Sequence, residues 1–185
     1  MVGSRGETGV AIFPDPAESA NRTFPERHFP EMDKLDRVTR RIIHELQHDG
    51  ALSAQQLAER VGLSATPVWR RVKELQSSGV LRRQVALMDR EKLGLAICVH
   101  AYVSLVRQNE GAVEEFERFV RTSAEIMECA RITGEADYVI KVVVADMKAY
   151  DRFLSEKVFR MGGVASIRSN VVLREVKYET ALPVG

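Results

Sequence analysis

Cysteine is scarce in this sequence, and long apolar runs are absent. Of 185 residues only Cys98 and Cys129 are cysteine. Both lie in apolar, strand-like runs with no histidine at ligand spacing, so we expect buried thiols and neither a disulfide nor a metal site. No run reaches the roughly 18 apolar residues of a membrane span, and the N-terminal residues lack the apolar segment of a signal peptide. We therefore expect a cytoplasmic protein that has no membrane partner.

Net charge is also small, at +1, but this total conceals an uneven distribution. Residues 1–33 carry 3 basic and 6 acidic side chains, residues 34–83 carry 10 and 5, and residues 84–185 carry 14 and 15. The middle segment thus has a net charge of +5 and lies between two segments of negative charge. A basic segment of this size is typical of a surface that binds nucleic acid, although a solvated basic face is the alternative.

Proline is concentrated at one end. Four of the 6 prolines lie in the first 30 residues, and none lies between Pro67 and Pro183. Residues 1–33 show no sustained apolar period, so we expect a flexible, protease-sensitive extension. Met32 is a candidate for the true start, because structured sequence is predicted immediately after it. The long proline-free stretch favours continuous regular elements.

Three short helices are predicted in a domain of residues 34–88. Apolar side chains recur every three or four residues over 35–49, and a capping-box pattern at Ser53 opens a second helix. After a tight turn, a third helix is predicted over 66–78. The apolar residues of 80–87 flank two arginines and predict a short strand pair, or wing. This order of elements is typical of a winged helix-turn-helix.

Beyond a linker at residues 89–95, the apolar period changes to two, which predicts strands in a domain of residues 96–185. The predicted strands are Ala96–Val106, Ile126–Thr133, Tyr138–Ala145 and Val164–Leu173, and the predicted helices are Ala112–Ser123 and Met147–Arg160. The order β-α-β-β-α-β predicts an α+β, ferredoxin-like sandwich with two helices on one face of a sheet. Because the other face also needs cover, we expect self-association.

The third helix is predicted to have one apolar and one basic face. At about 100° per residue, Val68, Val72 and Leu75 form one stripe that faces the core. Cations and hydroxyls lie opposite, where arginine can bind guanine in the major groove and Arg82 and Arg83 can bind phosphates. A solvated helix face is the alternative, and Trp69 is predicted to pack half-buried. The predicted DNA-binding set is Ser64, Thr66, Pro67, Arg70, Arg71, Lys73, Arg82 and Arg83.

Catalytic patterns are missing from the sequence. It contains no P-loop, no nucleophile elbow and no glycine-rich dinucleotide fingerprint after a strand. His44 and His48 are spaced i, i+4 but lack a third ligand, so we interpret them as surface histidines. His100 lies in a strand and is predicted to be packed or at an interface, and His28 lies in the extension. We predict no catalytic residue, no metal and no cofactor.

Several separate motifs, in order along the chain, resemble the Lrp/AsnC family of transcription regulators. They are Leu35-Asp36-Arg37, the run LAERVGLSATPVWRRV at 57–72, Gly79-Val80-Leu81, the run GEADY at 134–138 and the run VKYETALP at 176–183. The resemblance extends from Lys34 to the end of the chain. It implies a winged helix-turn-helix that binds promoter DNA in a sequence-specific manner. It also implies a C-terminal domain that senses an amino acid and assembles into dimers or octamers.

The sequence departs from the family pattern at three places. Ala65 and Val68 stand where many members have proline and cysteine. The run Met161-Gly162-Gly163-Val164 replaces a Leu-Pro-Gly-Val turn before the last strand. The extension before Met32 is not typical of the family, and the resemblance carries no expectation for it. Because residues 1–31 are acidic, we expect them to be dispensable for DNA binding, and an arm that contacts DNA or a neighbouring subunit is the alternative.

The loop that joins the second and third strands is the candidate effector site. Gly134 can adopt a positive φ and expose backbone amides to a carboxylate, while Asp137 can meet an ammonium. From the residues alone, an ordinary Asp turn in a hairpin is the favoured alternative. The resemblance reverses this preference, because it implies an effector site near this loop at subunit interfaces. The predicted effector-binding set is Gly134, Glu135, Ala136, Asp137 and Met147.

Two residues near this set have alternative interpretations. The resemblance relates Met147 and Phe159 to the effector response, but both also fit core positions of the last helix. Arg131 precedes the loop and either selects a polar effector side chain or is an ordinary solvated arginine. The sirohaem decarboxylases share the predicted architecture, but their chemistry would require His and Tyr in the second strand. Here that strand reads IMECAR, which disfavours an enzyme.

Overall fold

Side-chain caps define where the first helices begin. The computed structural model describes residues 35–106 and 111–184. Helix α1 (Arg37–His48) begins after Asp36, whose carboxylate accepts a hydrogen bond from the Thr39 amide at 2.7 Å. Helix α2 (Ala54–Val61) has the predicted capping box at Ser53, in which both reciprocal bonds form. It ends at Gly62, whose φ of 73° is a conformation that suits glycine.

Helix α3 (Ala65–Ser77) completes the first unit and packs its apolar stripe inward. Val68, Val72 and Leu75 are buried, as predicted, together with Ile42 of α1 and Leu57 of α2. The chain then turns at Gly79, whose φ is 75°. The three helices and their tight turn form the predicted helix-turn-helix.

The predicted wing does not form. Between α3 and the next element, the described chain contains no strand, and residues 80–88 run without ladder pairing. Val85 and Leu87 are each 61% exposed. An isolated two-stranded ribbon that buries no face has marginal stability in water. The alternating pattern alone is therefore insufficient to form strands in this segment. The strand pair expected in this segment is therefore wrong for the single chain.

The second unit is a four-stranded antiparallel sheet with helices on one face. Its strands are β1 (Ile97–Leu105), β2 (Ile126–Arg131), β3 (Tyr138–Val144) and β4 (Val164–Val171), in the order β2-β3-β1-β4. Helix α4 (Ala112–Thr122) follows β1, and helix α5 (Met147–Arg152) follows β3. The α+β architecture and the β-α-β-β-α-β order are as predicted. The domain limits 34–88, 89–95 and 96–185 stay predictions.

The core lies between the helices and one face of the two central strands. Val99, Ala101 and Val103 of β1 are fully buried beside Ile140 and Val142 of β3. Phe116 of α4 and Phe153 cover them, each almost without solvent contact. At about 3–5 kcal/mol for the loss of such an aromatic side chain, these two residues contribute strongly to the stability of the unit.

The second helix of this unit is not uniform, although the periodicity predicted one helix over 147–160. After α5 the chain continues as a π-helix, Phe153–Val158, and the Phe159 amide donates to the Leu154 carbonyl at 2.8 Å. In an α-helix, residues five apart point about 140° away from each other. A π-turn closes on the fifth residue, so Phe153 and Val158 both reach the core. Packing of these two side chains explains the change.

Three apolar positions differ from the burial expected of them. Cys98 is buried as predicted, but Cys129 is exposed because it lies on the edge strand β2. Strand β3 separates the two cysteines, which agrees with two free thiols. Met147 and Phe159 are 49% and 62% exposed, so the interpretation of both as core residues is wrong.

The C-terminal segment returns to the first unit. Residues 172–184 run without strand pairing, and Tyr178 places its ring 5.2 Å from the Lys141 ammonium on the uncovered face of the sheet. Farther on, the Leu182 amide donates to the Gln47 side-chain oxygen at 2.6 Å, and the Gln47 nitrogen donates back to the Leu182 carbonyl at 3.1 Å. A two-way amide pair therefore joins this segment to α1.

Candidate nucleic-acid interface and effector loop

The outer face of α3 carries the side chains that the sequence assigned to DNA. Thr66 and Arg70 are exposed, and Lys73 is partly exposed, on the side opposite the buried stripe. Ser64 is the N-cap residue of α3, and its hydroxyl makes no capping bond. Pro67 lies in the first turn, where its missing N–H is tolerated, and is half-buried. The structure thus brings five of the eight predicted residues onto one helix face or its leading edge.

Intrahelical contacts hold the cations of this face only weakly. The Arg70 guanidinium lies 3.6 Å from the Glu74 carboxylate, with both side chains about two-thirds exposed. Lys73 lies 5.7 Å from the centre of the Trp69 ring. Exposed pairs of this kind contribute about 0–1 kcal/mol, so a phosphate or a base edge competes with them easily. Trp69 is 49% exposed, as its predicted half-buried packing requires.

Arg71 has a different environment from the other cations of α3. Its side chain is 22% exposed, and its guanidinium bonds the Asp36 carboxylate at 2.7 Å. The Thr39 amide, and to a smaller extent the Arg71 charge, hold the pKa of Asp36 below its usual value despite slight desolvation. Arg71 therefore links α3 to the N-cap of α1, and its assignment to a DNA phosphate stays a prediction.

Arg82 and Arg83 lie just beyond α3 and are exposed. The segment that holds them has no strand pairing. Exposed cations at this place suit phosphates, where charge is required and base geometry is not. Their position next to the outer face of α3 extends the basic surface.

In the loop between β2 and β3, Gly134 has the predicted positive φ, whereas the Asp137 carboxylate is partly used in a hydrogen bond within the protein. Gly134 has a φ of 119°, which a side chain would disfavour. The Asp137 carboxylate accepts a hydrogen bond from the Leu105 amide at 2.8 Å through Oδ2, and its own amide donates to Val103 at 3.0 Å. Asp137 thus anchors the loop to the end of β1. Its second oxygen, Oδ1, makes no hydrogen bond within the described residues.

The other predicted effector residues divide into two groups. Ala136 is buried beside Asp137, and Glu135 is paired with Arg168 of β4 at 3.0 Å. Met147 lies at the opposite end of β3, about 20 Å away at the usual rise of a strand. A single chain therefore does not bring Met147 and the loop into contact with one small ligand. The two can meet at one ligand only across an interface between copies.

Neither a metal-ligating cluster nor a helix that could span a membrane occurs in the described part of the chain. Residues 35–106 and 111–184 contain no cluster of three metal-ligating side chains and no helix long and apolar enough to span a membrane. His44 and His48 lie on the surface of α1 with their rings 4.3 Å apart. His100 is partly buried in β1. His28, the proposed extension 1–33 and the candidate start Met32 lie outside the described residues.

Sequence reasoning missed two polar residues that hold the linker and the C-terminal segment. Arg90 donates to the carbonyls of Leu95 and Ala96, at 3.1 and 2.7 Å, and so fixes the chain as it enters β1. Gln47 holds the C-terminal segment on α1. A solvated helix residue and a linker arginine look the same in sequence whether or not they bind backbone, so no local signal identifies them.

Two family models match this chain. A model described as winged helix-turn-helix DNA-binding matches residues 35–82, and a model described as the Lrp/AsnC ligand binding domain matches residues 98–182. The first covers α1 to α3, and the second covers the sheet, its helices and most of the C-terminal segment.

Individual relatives match over both units. The DNA-binding transcriptional activator DecR of Escherichia coli is 40% identical over 153 residues, covering 81% of this chain and 99% of the relative. The Bkd operon transcriptional regulator of Pseudomonas aeruginosa is 38% identical, covering 82% and 99%. A crystal structure of a Neisseria meningitidis transcriptional regulator in complex with L-methionine is similar with a TM-score of 0.78 and 35% identity, covering 81% and 97%.

The link between Arg71 and Asp36 yields a test of stability. We expect Arg71→Met and Asp36→Ala each to lower the free energy of unfolding, because each removes the bond between α3 and the cap of α1. A double-mutant cycle measured by chemical denaturation should give a coupling of about 0.2–1 kcal/mol. Since the pKa of Asp36 is lowered in the folded state, this coupling is present at neutral pH and is lost as the pH falls through that lowered pKa. Arg83→Met is the control, and an equal coupling of Asp36 to Arg83 would contradict the assignment.

Proposed function

The chain belongs to the Lrp/AsnC family of DNA-binding transcriptional regulators, and on this premise we propose that it binds pseudo-palindromic promoter DNA through the outer face of α3 and responds to a free amino acid. The observation that carries the proposal is the division of α3 into a buried apolar stripe and an exposed face with cations and hydroxyls. The relatives named above are regulators, so we infer that the protein regulates and does not catalyse.

DNA contact is proposed in two parts. Arg70 and Lys73, with Thr66 and Ser64 at the start of α3, face outward where a helix enters the major groove. Arginine on such a face binds guanine with two hydrogen bonds, which supplies sequence preference. Arg82 and Arg83 lie outside the helix and supply charge to phosphates. This division assigns specificity to α3 and general affinity to the segment after it.

Assembly is proposed on the face of the sheet opposite α4 and α5. In β1 and β3 most of the residues that alternate with the core, among them Tyr102 and Val139, are only partly buried, and no described helix covers them. Cys98 and Val143, paired at one end of this face, are buried. An antiparallel sheet with two half-apolar faces is stable when a second copy covers the open one. A symmetric dimer also presents two α3 helices, as a pseudo-palindromic site requires.

The effector is proposed to be a free amino acid held by the loop of residues 134–137. The structural neighbour from Neisseria meningitidis is a complex with L-methionine, which supports this class of ligand. Oδ1 of Asp137 is available for an ammonium, while Oδ2 is held by Leu105. The positive φ of Gly134 turns the backbone at the position where amides would meet the carboxylate. Met147 of another copy would complete the site.

Replacement of Arg70 tests the DNA interface. We expect Arg70→Ala to weaken binding to the specific site by about 1–3 kcal/mol and to relax sequence preference, because a base contact is lost. Arg83→Ala should weaken all sequences alike and reduce the dependence on salt, because only a phosphate contact is lost. Fluorescence anisotropy over a salt series measures both effects. Absence of DNA binding by the unmodified protein at low ionic strength would refute the interface.

Substitution on the open sheet face tests the assembly. We expect the unmodified protein to be at least a dimer at micromolar concentration and Val139→Glu to shift it toward the monomer, because a buried carboxylate without a partner is costly. Multi-angle light scattering measures the mass. Arg118→Glu, on the outer side of α4, is the matched control and should leave the mass unchanged. A monomeric unmodified protein would overturn the proposal.

Asp137 provides the test of effector binding. A thermal-shift screen of the twenty amino acids should find at least one that raises the melting temperature, because a ligand of the folded state stabilises it. Asp137→Asn keeps an acceptor for the Leu105 amide and removes the charge, so it should retain the fold and lose the response of the loop site. Glu114→Gln, an exposed carboxylate of α4, is the control. The effector proposal fails if no amino acid shifts the protein or if Asp137→Asn binds at this loop as before.

A further inference from the structure

A cavity lies at the end of the sheet away from the loop of residues 134–137. It has a volume of about 280 Å³ and opens between the end of β3, the residue before β2 and the helical segment after β3. Leu95, Glu125, Arg152, Phe153, Glu156 and Lys157 contribute to its lining. The size lies just below the usual range for drug-sized ligands, so it suits a small metabolite.

One carboxylate of this cavity is incompletely bonded. Oε1 of Glu125 accepts a hydrogen bond from the Lys157 ammonium at 2.6 Å, whereas Oε2 is shielded from water and has no hydrogen-bond partner. Desolvation raises the pKa of Glu125, but the Lys157 hydrogen bond, a backbone hydrogen bond of Glu125 and the Lys157 charge together hold this pKa below its usual value. Glu125 is therefore charged at neutral pH. A buried, charged oxygen without a donor is costly, and the terminal torsion of glutamate is soft enough to turn it toward an arriving donor.

An unpaired cation lines the same cavity. Arg152 is exposed at the junction of α5 and the π-helix, and its guanidinium makes no hydrogen bond or ion pair within the described residues. A guanidinium binds a carboxylate with two parallel hydrogen bonds. The π-helix, a rare element that often occurs at functional sites, defines this position of Arg152.

Apart from Glu156 and Lys157, the remaining lining of the cavity is apolar. Val143 and Val144 of β3 and Phe153 of the π-helix are buried there, and Ala149 lies beside them. Lys157 is paired with Oε1 of Glu125, so the groups with bonding capacity left are Oε2 of Glu125 and the Arg152 guanidinium. Together with the apolar wall, they match the three parts of an α-amino acid with an apolar side chain. Neither a simple anion nor a simple cation would use all three.

We propose that this cavity is a second amino-acid site, in which Glu125 receives the ammonium and Arg152 the carboxylate of an apolar amino acid. The choice of an amino acid as the ligand rests on the proposed function. The location does not, because the cavity lies at the opposite end of β3 from Asp137 and shares no residue with the loop. The two sites can therefore be filled and removed independently.

The cavity also contacts the linker to the DNA-binding unit. Leu95 contributes to the lining, and Arg90 holds the carbonyls of Leu95 and Ala96. A ligand in the cavity thus packs against the segment that leads from the sheet back to α3. Occupancy is expected to change DNA affinity by biasing the position of this segment.

Calorimetric titration of the full chain with L-methionine tests the site. In Asp137→Asn protein, binding should persist, and Arg152→Met in that background should weaken it about tenfold or more, as expected for loss of a charged hydrogen-bonding partner. Glu125→Gln should weaken it similarly. Arg160→Met, an exposed arginine that does not line the cavity, should leave the affinity unchanged. N-acetyl-L-methionine and 3-(methylthio)propylamine, which lack the free ammonium and the carboxylate respectively, should not bind.

The outcomes separate this proposal from the loop site. If Asp137→Asn protein binds no L-methionine, or if Arg152→Met binds as tightly as its parent, the cavity site is overturned and the loop site is unaffected. If Asp137→Asn protein binds L-methionine and Arg152→Met in that background removes the binding, the cavity site is supported. The loop site is contradicted only if Arg152→Met in the otherwise unmodified protein also removes all binding. Circular dichroism of each variant establishes that loss of binding does not reflect loss of fold.

Discussion

One-sided burial of the four-stranded sheet is the constraint on which the C-terminal unit depends. Alternate residues of β1 and β3 are fully buried under Phe116 and Phe153, and this burial holds both helices on one face. The remaining residues of the same strands are then forced onto the other face, because a strand alternates sides at every residue. Core packing on one side therefore creates the uncovered surface on the other.

The ends of the sheet acquire their features from the same packing. At one end, the bonds from Asp137 to the end of β1 shape the loop after β2. At the other end, the demand that Phe153 and Val158 both enter the core produces the π-helix and carries Arg152 to the rim of the cavity. Each candidate ligand site is thus a consequence of how the core closes at that end. Because β3 spans the distance between them, neither site depends on the other for its geometry.

Polar contacts lie at both places where the chain passes between the two units. Arg90 holds the linker where it enters β1, and Gln47 of α1 pairs with the backbone of Leu182 in the C-terminal segment. Only the second contact joins residues of the two units directly, whereas the first holds the linker between them. A second copy on the sheet face or a ligand near Leu95 would act on the helix-turn-helix through this linker and through the Gln47–Leu182 pair. This arrangement is the physical route that the proposed effector sites would use to alter DNA binding.

The sequence alone determined the features that depend on local chemistry. The capping box at Ser53, the buried stripe of Val68, Val72 and Leu75, and the order of strands and helices all follow from side-chain spacing, because caps and periodicity act over three or four residues. Only the tertiary structure decided which of these local patterns form the predicted element and which side chains are buried or paired. It left the arginine segment after α3 without a wing, exposed Cys129 on an edge strand, turned the end of the last helix into a π-helix and committed Arg71 to Asp36. In each case the deciding partner lies on another element, and a pattern within one segment contains no information about what packs against it.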